Sequence, residues 1–263
     1  RRKFLGTCVA ISGTAGLVPV AAWAEAAPRL YDRARLVDIR GAPLKARAVV
    51  AETNYVFHYP FVGTPCFLLN LGRPVAAAAT LRREDGTTYA WDGGVGPARA
   101  IVAFSAICAH KLAYPTRDVS FIRYQPQRSA TSAAQVIHCC AEHSVYDPAS
   151  GGRVLAGPAP QPLAAILLEY DAATDELAAL GTVGAEQFDA FFTQYEFKLA
   201  LDYGQGKARR PVGASAVVRE LAGTLAGARV LLVLDYRPQY DSRWLRDAGV
   251  RVLALAPLPA ADI

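Results

Sequence analysis

Two short stretches carry the residue types that can do chemistry: Cys108-Ala109-His110 and Cys140-Ala141-Glu142-His143. Each offers one thiol and one imidazole, and 29 residues separate His110 from Cys140. Thiolate and imidazole together select iron–sulfur centres or zinc. Two such loops facing one another can hold a tetrahedral zinc ion. They can equally hold a [2Fe–2S] cluster, with two sulfur ligands on one iron and two ring nitrogens on the other. Zinc would staple a binding module, whereas the cluster would carry one electron at a time.

Both loops need rigid elements to aim them. Ile101–Ile107 is an apolar run leading straight into Cys108, and Val136-Ile137-His138-Cys139 leads into Cys140. After the second loop the chain reads Ser144-Val145-Tyr146-Asp147-Pro148, then the turn Gly151-Gly152, a short strand Arg153–Ala156, and Gly157-Pro158-Ala159-Pro160. The ligand order C-H…C-H, the Tyr-Asp pair, the glycine turn and the G-P-A-P cover loop resemble the Rieske iron–sulfur family from Ile101 to about Gly181. Zinc in a binding module is the remote alternative.

The resemblance implies that Cys108 and Cys140 bind the buried iron, and His110 and His143 the outer one. Cys140 and His143 alone fit the expected spacing, which leaves His138 and Cys139 without a role in the centre. It also implies that Ser144, Tyr146 and Pro158 tune the cluster. The departures are specific. Quinol-oxidising members brace their loops with a disulfide; the corresponding positions here are Ala113 and Glu142. Those members place Ser and Tyr two and four residues after the second His, whereas Ser144 and Tyr146 stand one and three after His143. Hydrogen bonds to sulfur raise a cluster's potential, so their loss would set this one low within the Rieske span of about −150 to +300 mV.

Short strand candidates surround the loops: 48–51, 55–59, 66–71, 75–81, 87–91, 119–124, 163–170 and 177–183, separated by Gly- and Pro-rich turns. They predict a mainly β fold, an antiparallel β domain over 28–203 with a cluster-binding subdomain inserted at about 101–163. Residues 25–34 read as a linker. Residues 185–201, with Phe188, Phe191, Phe192, Tyr195 and Leu199 at helical spacing, read as one amphipathic helix. Residues 204–216 read as a second linker, 217–225 as helical, and 204–263 as a small α/β extension of unknown role. His58 reads as structural, Cys66 as a buried strand residue, and a Cys66–Cys139 pairing stays open.

The N-terminal Arg1-Arg2-Lys3-Phe4-Leu5 precedes 21 positions without a charge, from Phe4 to Ala24. This matches a twin-arginine export signal retained as an anchor over 1–27, a single transmembrane helix with its basic end in the cytoplasm. Cys8 lies inside it. The globular part would then face the periplasm of a bacterial inner membrane. A net charge of +5 with no long basic run argues against nucleic-acid binding. The expected function is an electron-transfer subunit of a membrane-bound respiratory or photosynthetic oxidoreductase, working between a quinol or protein donor and a c-type cytochrome. The alternative is the Rieske small subunit of a periplasmic molybdenum oxidoreductase of the arsenite-oxidase kind. An oxygenase would need a further His pair with a carboxylate, and only His58 and His138 remain.

Overall fold

The strongest apolar runs become the middle of one large sheet. The computed structural model describes residues 26–116, 120–129 and 132–219. Their strands are β1 (Arg29–Val37), β2 (Tyr55–His58), β3 (Pro65–Asn70), β4 (Ala78–Arg82), β5 (Thr88–Trp91), β6 (Ile101–Ser105) and β7 (Ile122–Gln125). There follow β8 (Val136–Cys139), β9 (Ser144–Asp147), β10 (Arg153–Ala156), β11 (Ala165–Asp171), β12 (Glu176–Val183), β13 (Ala214–Ala216) and β14 (Val218–Arg219). Eight of them form a sheet in the order β13-β1-β12-β11-β6-β3-β2-β14, antiparallel except for the parallel pair β1 and β13. A four-stranded antiparallel sheet runs β10-β9-β8-β7, and β4 pairs with β5.

β3 and β6 lie inside the large sheet, and alternate side chains go to opposite faces of a strand. Phe67, Leu69, Val102 and Phe104 therefore enter one core, while Cys66, Leu68, Ile101 and Ala103 enter another. The first core runs on without a break into the small sheet, taking in Ile122, Tyr124, Ile137, Cys139 and Tyr146 together with Cys108. The two loops that bear cysteine and histidine are thus anchored in the main core.

Several expectations are corrected. The linker over 25–34 is mostly β1. Only Ala34 and Leu36 of that strand point inward, and its polar residues are covered by Arg29–Glu186 and Arg33–Glu169 ion pairs, so it lacks the apolar signature of a strand. Residues 46–48 form a 3₁₀ turn where a strand was expected over 48–51. The helix over 185–201 is two, α1 (Phe188–Gln194) and α2 (Glu196–Tyr203), because Tyr195 leaves helical geometry at φ −109°, ψ 17°. The second linker contains β13, and the expected helix after it opens as β14, which pairs Val218 with Val56 and Arg219 with Tyr55. Residues 204–219 therefore complete the body's own sheet. The membrane anchor, Cys8 and the tail from 220 lie outside the described residues; among the described residues no helix is long and apolar enough to cross a membrane.

Candidate metal centre

β6 delivers the first loop. Beyond its end the backbone stays tied, with Ala106 N–H donating to Pro65 O (2.9 Å), Cys108 N–H to Ala113 O (2.8 Å) and Leu112 N–H to Cys108 O (3.0 Å). Leu112 takes a left-handed conformation, φ 58°, that closes the turn. Ile107, Leu112 and Tyr114 pack on Phe188, Phe191, Phe192 and Leu199 of the two helices. Gln187 Nε2 donates to Ala109 O (3.1 Å), and Gln194 Nε2 to Lys111 O (3.2 Å). These two glutamines hold the carbonyls on either side of His110, a role that no motif or spacing marks.

The hairpin β8–β9 delivers the second loop. Its register pairs Cys139 with Ser144, His138 with Val145 and Ile137 with Tyr146. Directly paired residues share a face, so Ile137, Cys139, Ser144 and Tyr146 point inward together and His138 points away. Cys139, Ser144 and Tyr146 are all fully buried. Cys140 is the next residue along and is exposed; its N–H donates to Phe121 O (2.8 Å), and its Sγ lies 3.3 Å from the same oxygen. His143 sits at the turn with φ 58°, its ring stacked on His138 at 5.9 Å between centroids.

The G-P-A-P segment lies over this turn. A Cβ on Gly157, itself at φ 89°, would come within 2.5 Å of His143 O and 2.6 Å of Ser144 Cα. Only glycine allows that approach. Pro158 follows directly in the cover loop, and Ala159 is buried in the same core as Cys108 and Cys139.

At the centre the Cys108 and Cys139 thiols lie in one buried core and act on each other's protonation. The Tyr146 hydroxyl lies 3.2 Å from Cys108 Sγ and accepts the Ala109 N–H at 3.1 Å. The backbone N–H groups of His110 and Lys111 favour charge on Cys108, and those of Ala141 and Glu142 favour it on Cys139. The neighbouring Cys139 thiol holds the Cys108 thiol below the ordinary thiol range, helped by Tyr146 and against the effect of burial. The Cys108 thiol and burial push Cys139 up. Such a nest of N–H and O–H donors stabilises negative charge on sulfur.

Nearer the surface, His110 faces Glu142, with Nδ1 3.9 Å from Oε2. His110 Nδ1 is buried and has no hydrogen-bond partner. Ser144 Oγ is likewise buried and unpartnered; it lies close enough to influence Tyr146 but makes no hydrogen bond of acceptable geometry. Buried polar atoms are almost always satisfied, so two orphans around a thiol pair mark a place built for a group that accepts them. Among the described residues no three His, Cys, Asp or Glu side chains converge where a single ion could sit. The donors fall in two pairs, sulfur with sulfur and nitrogen with oxygen, which suits a two-iron group better than mononuclear zinc.

No protein-family model matches the chain. Among solved structures it is similar to the soluble domain of the Rieske protein II (soxF) from Sulfolobus acidocaldarius, with 26% identity, 58% of this chain and 78% of that chain covered, and a TM-score of 0.43.

Of the four expected ligands, Cys108 and His110 stand at the centre. Cys140 and His143 are not brought to them; Cys139 and Glu142 are. The pleat of β8 puts Cys139 on the face of Ile137, in the core that holds Cys108, while Cys140 lies beyond the end of the strand and is exposed. The signal was present in the spacing: counted from Cys139, Ser144 and Tyr146 fall five and seven residues on, the interval expected after the second cysteine. Ser144 and Tyr146 occupy the inward positions foreseen for them. Cys66 donates to Tyr59 O at 3.1 Å in the other core, so its thiol and that of Cys139 are separate free groups. Burial lowers the His58 pKa, and the ring faces the Tyr203 hydroxyl at 3.4 Å.

Proposed function

We propose that the chain is a Rieske-type electron-transfer protein holding a [2Fe–2S] cluster between its two loops. It would pass single electrons between a quinol or protein donor and a cytochrome within a membrane complex. The observation that carries this reading is the pair of orphaned polar atoms, His110 Nδ1 and Ser144 Oγ, set around two buried thiols of one core. The bound cluster would supply one-electron redox chemistry.

The chain's own residues do the rest. Cys108 and Cys139 are fully buried, so water is excluded from the inner side. The Tyr146 hydroxyl and the loop N–H groups offset negative charge on sulfur and so favour the reduced state. His110 is the way out: its side chain is 24% exposed, and it lines an open cleft of about 870 Å³ with Arg29, Arg83, Lys111, Glu186 and Gln187. A donor or acceptor seated there would reach the imidazole directly. Attachment to the periplasmic face of a bacterial inner membrane through residues 1–27, after twin-arginine export, belongs to the same proposal and is supported by the basic start and uncharged run.

The test is anaerobic loading of the full chain with iron and sulfide. Iron and acid-labile sulfide in equal amounts, with an electron paramagnetic resonance signal on reduction, are expected. A chain that takes up zinc alone and stays silent overturns the reading. Oxidation of a quinol analogue, measured against reduction of a c-type cytochrome, separates a quinol donor from a protein donor.

A further inference from the structure

We infer that the second loop meets the metal through Cys139 and Glu142, so that the ligand set is Cys108, Cys139, His110 and Glu142. The outer iron would then be held by one imidazole and one carboxylate. This rests on the cluster reading above and goes beyond it by assigning its donors.

Four observations carry the assignment. First, the thiol beside Cys108 is that of Cys139, fully buried, whereas Cys140 is exposed with its sulfur against Phe121 O. Second, the side chain opposite His110 is Glu142, its Oε2 3.9 Å from the unpartnered Nδ1. A carboxylate and a ring nitrogen so placed can approach one metal together with little movement, because Glu142 is itself 39% exposed and free to turn. Third, the His143 ring stacks on His138, which leaves β8 on the face opposite Cys139. Fourth, exchanging Cys140 for Cys139 needs a slip of β8 by one residue. That slip would turn Ile137 and Cys139 away from the core they share with Cys108.

The chemistry differs from a pair of imidazoles. A carboxylate brings a full negative charge and a hard oxygen, which favours ferric over ferrous iron. A single ligand imidazole remains to couple proton to electron. Such a centre would work at lower potential and with one redox-linked proton at most.

Single variants of the full chain, loaded as above, decide the matter. The readouts are bound iron, visible spectrum and nitrogen hyperfine couplings in pulsed electron paramagnetic resonance; circular dichroism of the unloaded chain checks folding. Cys140→Ser and His143→Ala are expected to keep their iron. Glu142→Ala is expected to lose it while staying folded, since Glu142 is a surface side chain. Cys139→Ser is expected to lose it too. Wild type is expected to show one histidine nitrogen, and Glu142→His two with the iron retained. Two histidine nitrogens in wild type, or loss of iron in Cys140→Ser or His143→Ala with retention in Glu142→Ala, overturns the assignment and leaves the cluster standing. A wild-type chain that binds no iron overturns both.

Discussion

Replacing Tyr146 by phenylalanine removes one oxygen from a fully buried side chain. The ring stays, so packing against its core neighbours is kept and no cavity of note opens. What is lost is the acceptor of the Ala109 N–H at 3.1 Å and the partner of Cys108 Sγ at 3.2 Å. Ala109 is itself buried, so its N–H is left without a substitute. An unsatisfied buried donor costs about 1–3 kcal/mol. With a urea dependence of roughly 2 kcal/mol per molar, the unfolding midpoint of the unloaded variant should fall by roughly 0.5–1.5 M. The same hydroxyl also acts on the loaded centre. A hydrogen bond to a more negative sulfur is stronger by about 1 kcal/mol, and at 59 mV per tenfold change the midpoint potential should drop by about 40 mV. Urea unfolding followed by circular dichroism reads the first number, and redox titration the second. A midpoint within error of wild type would mean that the Ala109 N–H has another acceptor. An unchanged potential would mean that the hydroxyl turns away from sulfur once the loops close on metal.

Gly157→Ala should destabilise by about 2–4 kcal/mol, from a left-handed alanine plus a Cβ driven into the His143 carbonyl; thermal melting reads the loss, and faster hydrogen exchange over 139–144 locates it. Phe191→Ala empties a fully buried site among Tyr114, Phe192 and Tyr195 and should cost about 3–5 kcal/mol, with chemical denaturation as the assay. His58 is held neutral by burial, so its folded pKa lies below its unfolded one. The unfolded chain therefore binds more protons below about pH 6.5, and stability falls as pH drops from there towards the folded value. His58→Phe should flatten that limb of the stability-against-pH curve; an equally steep limb would assign it elsewhere.

What was legible in the sequence follows from local physics. β3 and β6 are continuous apolar runs, which is what strands buried on both faces require, and they were placed to within two residues. β1 was not, because it lies near the sheet edge and spends its outward positions on arginines and aspartate. Helix spacing over 185–201 was real, but the chain leaves helical geometry at Tyr195, whose ring packs on Tyr114 at 4.8 Å, a contact made across the fold. In the site, residue types and loops were legible. Two spacings compete over the adjacent cysteines: C-x-x-H to His143 selects Cys140, and the interval to Ser144 and Tyr146 selects Cys139. The pairing of β8 with β9 decides between them.

The two glutamine bonds to the first loop span 78 and 83 residues of sequence. The carbonyls flanking His110 are therefore fixed by a segment made long after the loop itself has left the ribosome. A nascent chain ending before Gln187 would already carry every thiol and imidazole of the site, yet its first loop would lack the clamp and the helices beneath it. The order of synthesis thus sets the order of assembly: residues through Gln194 must be made and packed before the first loop can be finished.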